Sequence, residues 1–303
     1  MGKVAFLFAG QGAQYVGMGK DLYENNDTAK AVFDMGEKIR PETMKMCFEG
    51  PGEELTLTEN TQPCLFLTDL ACAKALADKG IQADYVAGFS LGEIPALAFA
   101  GVLTEEEAFR LVCLRGKTMS ECAAAHPGSM VAALKLSNED VEAVCKTFHN
   151  VYPVNYNCPG QLSCAGAVEE LDAFAEAIKE KGGRAVRLAV SGAFHTPYMA
   201  DATAALRDML QTLDVKTPAI PMYSNLTGAQ YPADAEGIID AVSKQASNSV
   251  RWEQIIRDMY AQGVDTFIEV GAGTTLSGLV KKTLSDVTIL HVSDMESLAA
   301  IEL

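Results

Sequence analysis

The chain has 303 residues, 49% apolar and 21% charged, with 40 acidic against 24 basic side chains and a formal charge of −16. That composition can bury a sizeable core and excludes disorder as the dominant state, and the length fits one large domain or two moderate ones. The charge argues against a general nucleic-acid or anionic-membrane binder, and no run of about 18 apolar residues offers a spanning helix.

Strand-like and helical patterns alternate, which predicts an α/β protein. The apolar run after Met1-Gly2-Lys3 breaks at Gly10-Gln11-Gly12, too early for a signal-peptide core, so residues 3–8 read as a buried strand. Phe6 stands where a myristoylation signal needs Ser or Thr. Residues 61–79 predict a helix closing at Gly80, residues 84–88 a short strand, and residues 90–100 a helix. A longer helix is expected from Thr104, an N-cap with Glu107 three residues on, to about Cys122.

His126-Pro127-Gly128 breaks this pattern. Beyond it come a strand at 130–136, a helix at 138–147, strands at 151–157 and 161–166, a helix at 168–181 and a strand at 184–190. That β-α-β-β-α-β order is ferredoxin-like and predicts an inserted small domain. The larger pattern then resumes with a helix at 197–213, a strand at 221–225, helices near 236–246 and 252–262, a strand at 264–270, a helix at 275–284 and a strand at 287–292. Eight cysteines without a CxxC pair, and no export signal, read as reduced, mostly buried thiols of a cytosolic protein.

The strongest local signal is Gly88-Phe89-Ser90-Leu91-Gly92, a G-x-S-x-G between a predicted strand and a predicted helix. A sharp strand-to-helix turn needs small flanking residues and projects the serine hydroxyl for nucleophilic attack, with helix N-terminal N–H groups behind it. Ser90 and Glu93 also fit a plain capping box, which needs no catalysis. A serine nucleophile needs a base, and there are four histidines. His195, in the small-residue loop Ser191–Pro197 between a strand and a helix, is the first candidate and His291 the second.

On the 104–122 helix, at about 100° per residue, Ala108, Leu111, Val112, Met119 and Cys122 fall within about 60° of one direction. Arg115 lies in the middle of that apolar stripe. An arginine there needs an anion, either a protein carboxylate or a substrate carboxylate held bidentately. Gly10-Gln11-Gly12-Ala13-Gln14 follows the first strand without the Lys-Ser/Thr ending of a P-loop. It is either a tight turn or an N–H donor loop beside the nucleophile.

Taken together, GQGAQ at 10–14, GFSLGE at 88–93, RGKTM at 115–119, NYNCPGQ at 155–161, GAFHTP at 192–197, SNLTG at 224–228 and VRW at 250–252 resemble the malonyl-CoA:acyl carrier protein transacylases. These are the acyltransferases of fatty acid synthesis, related to acyltransferase domains of polyketide synthases, and the motifs run in family order along nearly the whole chain. The resemblance implies an α/β-hydrolase-like catalytic domain, 1–127 and 193–303, with a ferredoxin-like subdomain inserted at 128–192. It implies Ser90 as nucleophile, His195 as base and Arg115 as the group that binds the malonyl carboxylate. Gln11 and Leu91 match the N–H groups of the oxyanion hole. Gln245 matches the glutamine whose main chain orients the histidine, and is also placed with the substrate-binding residues. Asn157 and Asn225 are near-site candidates. Phe194 in GAFH fills the space a methyl branch would need, as in malonyl-selective members.

Phe89 stands where the family usually has His, Cys158 where Ser is usual, Ile94-Pro95 where an aromatic-small pair is usual, and Ser249 where Pro is common before V-R-W. The implied reaction is ping-pong transfer from malonyl-CoA to the phosphopantetheine thiol of acyl carrier protein through malonyl-Ser90. It needs no bound cofactor and no metal, and no Cys/His cluster is present to bind one. Candidates for docking an acidic carrier are Lys179, Lys181, Arg184, Arg187 and Lys281-Lys282, which also read as ordinary solvated charges. Rival readings are a serine thioesterase or hydrolase on the same turn, a polyketide acyltransferase, and a catalytically silent carrier-binding subunit.

Overall fold

The computed structural model describes residues 2–302. Met1 and Leu303, the outer ends of the expected catalytic segments, lie outside the described residues. The first strand, β1 (Lys3–Phe8), is followed by helices α1 (Lys20–Asn25), α2 (Asp27–Ile39), α3 (Thr43–Glu49), α4 (Gly52–Leu55) and α5 (Thr58–Asp78). Then come β2 (Tyr85–Gly88), α6 (Glu93–Phe99) and α7 (Glu105–Ala125). The middle of the chain forms β3 (Gly128–Leu134), α8 (Asn138–Cys145), β4 (Val151–Cys158), β5 (Gln161–Ala167), α9 (Val168–Glu180) and β6 (Arg184–Arg187). The remainder is α10 (Ala200–Leu210), β7 (Met222–Tyr223), α11 (Ala235–Gln245), α12 (Trp252–Ala261), β8 (Val264–Val270), α13 (Thr275–Thr283), β9 (Thr288–Val292) and α14 (Met295–Ala300).

Two sheets organise these elements. Strands in the order β7-β2-β1-β8-β9 form a parallel sheet. Its central strands are buried on both faces, as parallel strands between helices must be. The second sheet, order β4-β5-β3-β6, is antiparallel, and α8 and α9 pack on it over their own apolar cluster of Val131, Val141, Leu171, Phe174 and Ile178. This matches the expected α/β class with a ferredoxin-like second sheet.

The Thr104–Glu107 capping box forms as read, with both reciprocal bonds present. Helix α5 begins at Thr58, three residues ahead of the expected 61, and carries Pro63 inside it. Strand β6 stops at Arg187, so residues 188–190, expected in the strand, are free to line a cleft. All eight cysteines are free, and all but Cys113 are buried.

Candidate active site

Ser90 sits where β2 turns into α6. Strands β1 and β2 are parallel, with Phe8 opposite Gly88, and Phe89 N–H donates to the Phe8 carbonyl (3.0 Å). The Gly10–Gln14 loop and the serine therefore leave the sheet at the same edge. A Cβ on Gly88 would overlap the backbone of Gly92 and Glu93, and one on Gly92 would overlap the Phe8 and Ala9 carbonyls. Close backbone approach thus demands both flanking glycines. Ser90 takes φ +54°, a left-handed conformation that strains a residue with a Cβ. The alternative capping box does not form: the serine makes no cap bond, and its Oγ lies 2.8 Å from His195 Nε2.

His195 is 4% exposed and also left-handed, φ +63°. Its Nδ1 lies 2.9 Å from the Gln245 carbonyl and 3.1 Å from that of Asn248. Carbonyls only accept, so Nδ1 carries the hydrogen and Nε2 is left to accept from the Ser90 hydroxyl. Burial, helped by the Arg115 charge, pushes the imidazole down to about 4 against the opposing pull of the two carbonyls. The ring is therefore neutral at pH 7. His291 lies on β9, exposed and opposite Glu269. His149 is exposed, and His126 is exposed and stacked on Tyr198 at 5.4 Å.

Arg115 is 1% exposed on the inner face of α7. Nη1 donates to Gln62 Oε1 (2.9 Å), and Nη2 donates to Gln245 Oε1 (2.8 Å) and Ser90 Oγ (3.2 Å). Among the described residues no carboxylate is in ion-pair contact with it. The protein-carboxylate alternative is corrected accordingly: amide oxygens hold this arginine. Burial lowers its pKa to about 10, with Glu93 opposing, so it stays charged at neutral pH.

A serine on a strained strand-to-helix turn, a neutral histidine at hydrogen-bond distance and a buried arginine aimed at the serine make a site for acyl chemistry. The acyl transferase domain model matches residues 5–302. The chain belongs to this acyl transferase family.

It is 40% identical to a malonyl CoA-acyl carrier protein transacylase of Bacillus subtilis, over 98% of this chain and 96% of that one. It is similar to the solved malonyl CoA-acyl carrier protein transacylase of Clostridium perfringens, with 39% identity, a TM-score of 0.94, and 98% and 95% of the two chains covered. It is also similar to a malonyl-transacylase solved in complex with a type II PKS acyl-carrier protein, at 34% identity and TM-score 0.94, with 98% of each chain covered.

In this acyltransferase the elbow is braced from behind. Asn225 Oδ1 accepts the Ser90 N–H (2.7 Å), and its Nδ2 donates to the Gly88 carbonyl (2.7 Å). The Gln245 side chain turns away from the cleft. Its Nε2 donates to the Ser90 carbonyl (2.7 Å) and to Glu93 Oε2 (2.8 Å). Gln245 is therefore corrected from a substrate-binding residue to one that holds Arg115 and, by its carbonyl, His195. Among the described residues the backbone N–H groups of Gln11 and Leu91 find no acceptor, which leaves them open to an oxyanion.

A cleft of about 90 Å³ over Ser90 is lined by Gln11, Gln62, Phe89, Met119, Met130, Asn155, Leu188, Val190, Phe194 and His195. Asn155 lines it where Asn157 was expected; Asn157 lies outside and donates to Ser163 Oγ (3.2 Å). In a regular strand Asn155 and Asn157, two apart, would share a face; the bulge at Tyr156/Cys158 spans Asn157 and takes it out of that register. Phe89 packs edge-on against Trp252, ring centres 5.3 Å apart. Gln62, Glu93, Tyr231 and Asn248 were not found by sequence reasoning: Gln62 reaches the cleft from the distant helix α5, Glu93 and Tyr231 act from behind it, and Asn248 acts through its main chain. Of the docking candidates, Lys179 pairs with Glu176 (2.7 Å), Arg187 pairs with Asp172, and Lys282 donates to Gln161 (3.1 Å).

Proposed function

We propose that this acyltransferase carries a malonyl group from malonyl-CoA to the phosphopantetheine thiol of acyl carrier protein in fatty acid synthesis, with residues 128–192 as its inserted small domain and the cytoplasm as its location. Ser90 Oγ attacks the thioester carbonyl while His195 Nε2 takes its proton. The Gln11 and Leu91 N–H groups hold the tetrahedral oxyanion, each contributing about 3 kcal/mol. CoA thiol leaves with the proton from His195. The carrier thiol then attacks malonyl-Ser90 by the reverse sequence, and no bound cofactor enters either half-reaction.

The observation that carries this reading is Arg115: a buried, charged guanidinium, 3.2 Å from the nucleophile and without a carboxylate of its own. It suits an acyl group ending in a carboxylate. Mass spectrometry after brief exposure to malonyl-CoA tests it. A malonyl adduct on Ser90, absent in Ser90→Ala and discharged by a carrier thiol, is expected. Label on a cysteine, no label, or discharge by water faster than by thiol would defeat it, the last in favour of a thioesterase.

A further inference from the structure

Glu93 lies one turn past the nucleophile and is 1% exposed. Its carboxylate accepts from the Tyr231 hydroxyl, from Gln245 Nε2 (2.8 Å) and from the Asn225 N–H, 3.3 Å from both oxygens. Among the described residues no cation is in ion-pair contact with it. A buried carboxylate in that setting is costly to retain, yet the mechanism above does not use it.

What it does is set the direction of one amide. Gln245 Nε2 faces three acceptors: Glu93 Oε2, the Ser90 carbonyl (2.7 Å) and Asn225 Oδ1 (3.3 Å). Turning the amide over would set Oε1 against a carboxylate and two more oxygens and its NH2 against a guanidinium. The charge on Glu93 therefore holds Oε1 on Arg115 Nη2. The main-chain carbonyl of the same residue holds His195 Nδ1.

We infer that Glu93 is a positioning residue that fixes Gln245, and through it aims both Arg115 and His195. The site thus has a carboxylate behind its base, acting through one intervening glutamine. This rests on the malonyl-transfer reading above.

Burial holds the Glu93 carboxyl up at about 7, against the pull of Tyr231, Gln245, Asn225 and the Arg115 charge. These are also the groups that face it. Its charge is lost as pH falls through that value, and Glu93→Gln imitates the uncharged form.

The test compares wild type, Glu93→Gln, Gln245→Ala and the double variant in kcat/KM for malonyl- and acetyl-CoA, between about pH 5.5 and 8.5. At the upper end Glu93→Gln is expected to lose about a hundredfold with malonyl-CoA, the scale of a small misalignment of reacting groups, and less with acetyl-CoA. The wild-type step near pH 7 should vanish in Glu93→Gln, and the double variant should lose no more than Gln245→Ala alone. Wild-type activity in Glu93→Gln, additive losses, or a surviving step near pH 7 would overturn the assignment. If Glu93→Gln does not fold, Tyr231→Phe removes one donor to the carboxylate and should move the step to higher pH; an unmoved step overturns it too. A wild type that malonyl-CoA fails to label sinks the transfer reading and this inference with it. A labelled wild type with an insensitive Glu93→Gln sinks this inference alone.

Discussion

Replacing Arg115 by alanine separates binding of the acyl tail from chemistry at its carbonyl. In the native protein the guanidinium is 1% exposed and supported by Gln62 and Gln245 oxygens at 2.9 and 2.8 Å. Without it, an entering malonyl carboxylate is desolvated against amide oxygens and has no counter-charge. Removing one partner of a buried pair costs about 3–5 kcal/mol, which at about 1.4 kcal/mol per tenfold is roughly a hundredfold to a few thousandfold in kcat/KM for malonyl-CoA. Acetyl-CoA has no carboxylate to strand and loses only the Nη2–Ser90 contact, so it should now compete. Arg115→Lys keeps the charge but not the fork and should fall between. Initial rates with malonyl-, methylmalonyl- and acetyl-CoA, on variants shown by thermal melting to be folded, measure this. Methylmalonyl-CoA reports separately on Phe194 and should be rejected by all three proteins. An alanine variant that still prefers malonyl over acetyl would refute the reasoning and make Arg115 a structural arginine.

Other outcomes follow from the same geometry. His195→Ala should lose activity by orders of magnitude while His291→Ala stays near normal, and the limb of the wild-type pH profile owed to His195 should lie near pH 4 rather than 6.5; a loss confined to His291→Ala would reverse the assignment. Gly92→Ala should disrupt the elbow, since its Cβ would overlap the Phe8 and Ala9 carbonyls; labelling of Ser90 at the wild-type rate would show that the turn yields. Asp69 is fully buried, neither carboxylate oxygen has a side-chain partner among the described residues, and burial beside Glu269 raises its pKa well above the usual range. The folded protein therefore binds the Asp69 proton more tightly than the unfolded chain does, so this contribution to stability is present at low pH and is lost as pH rises, by about 1.4 kcal/mol per pH unit between the two pKa values. Melting temperature should fall with rising pH more steeply in wild type than in Asp69→Asn, and parallel curves would rule this out.

What the sequence disclosed was local. The Thr104–Glu107 cap, the glycines around Ser90 and the apolar stripe that carries Arg115 each depend on spacings within one element. His195 was legible because its small-residue loop joins a strand to a helix. The helices between β1 and α5 went unread, since three of the four have only four to seven residues, too few turns for a helical period to show. The brace behind the elbow was hidden for a different reason. Glu93 meets Asn225, Tyr231 and Gln245 from 132, 138 and 152 residues away, and nothing near Glu93 announces those partners. Locally it looked like half of a cap.

The burial of His195 bears on which molecule can discharge the acyl-enzyme. An imidazole whose conjugate acid lies near 4 is a feeble proton acceptor. A thiol ionises near 8.5, whereas water ionises near 15.7, so the same ring faces a gap about seven powers of ten wider when water is the attacker. Ser90 is spared that handicap because Arg115 donates to its oxygen. The feebleness of the base therefore weighs against water and towards a thiol as the attacker of malonyl-Ser90 in the proposed transfer.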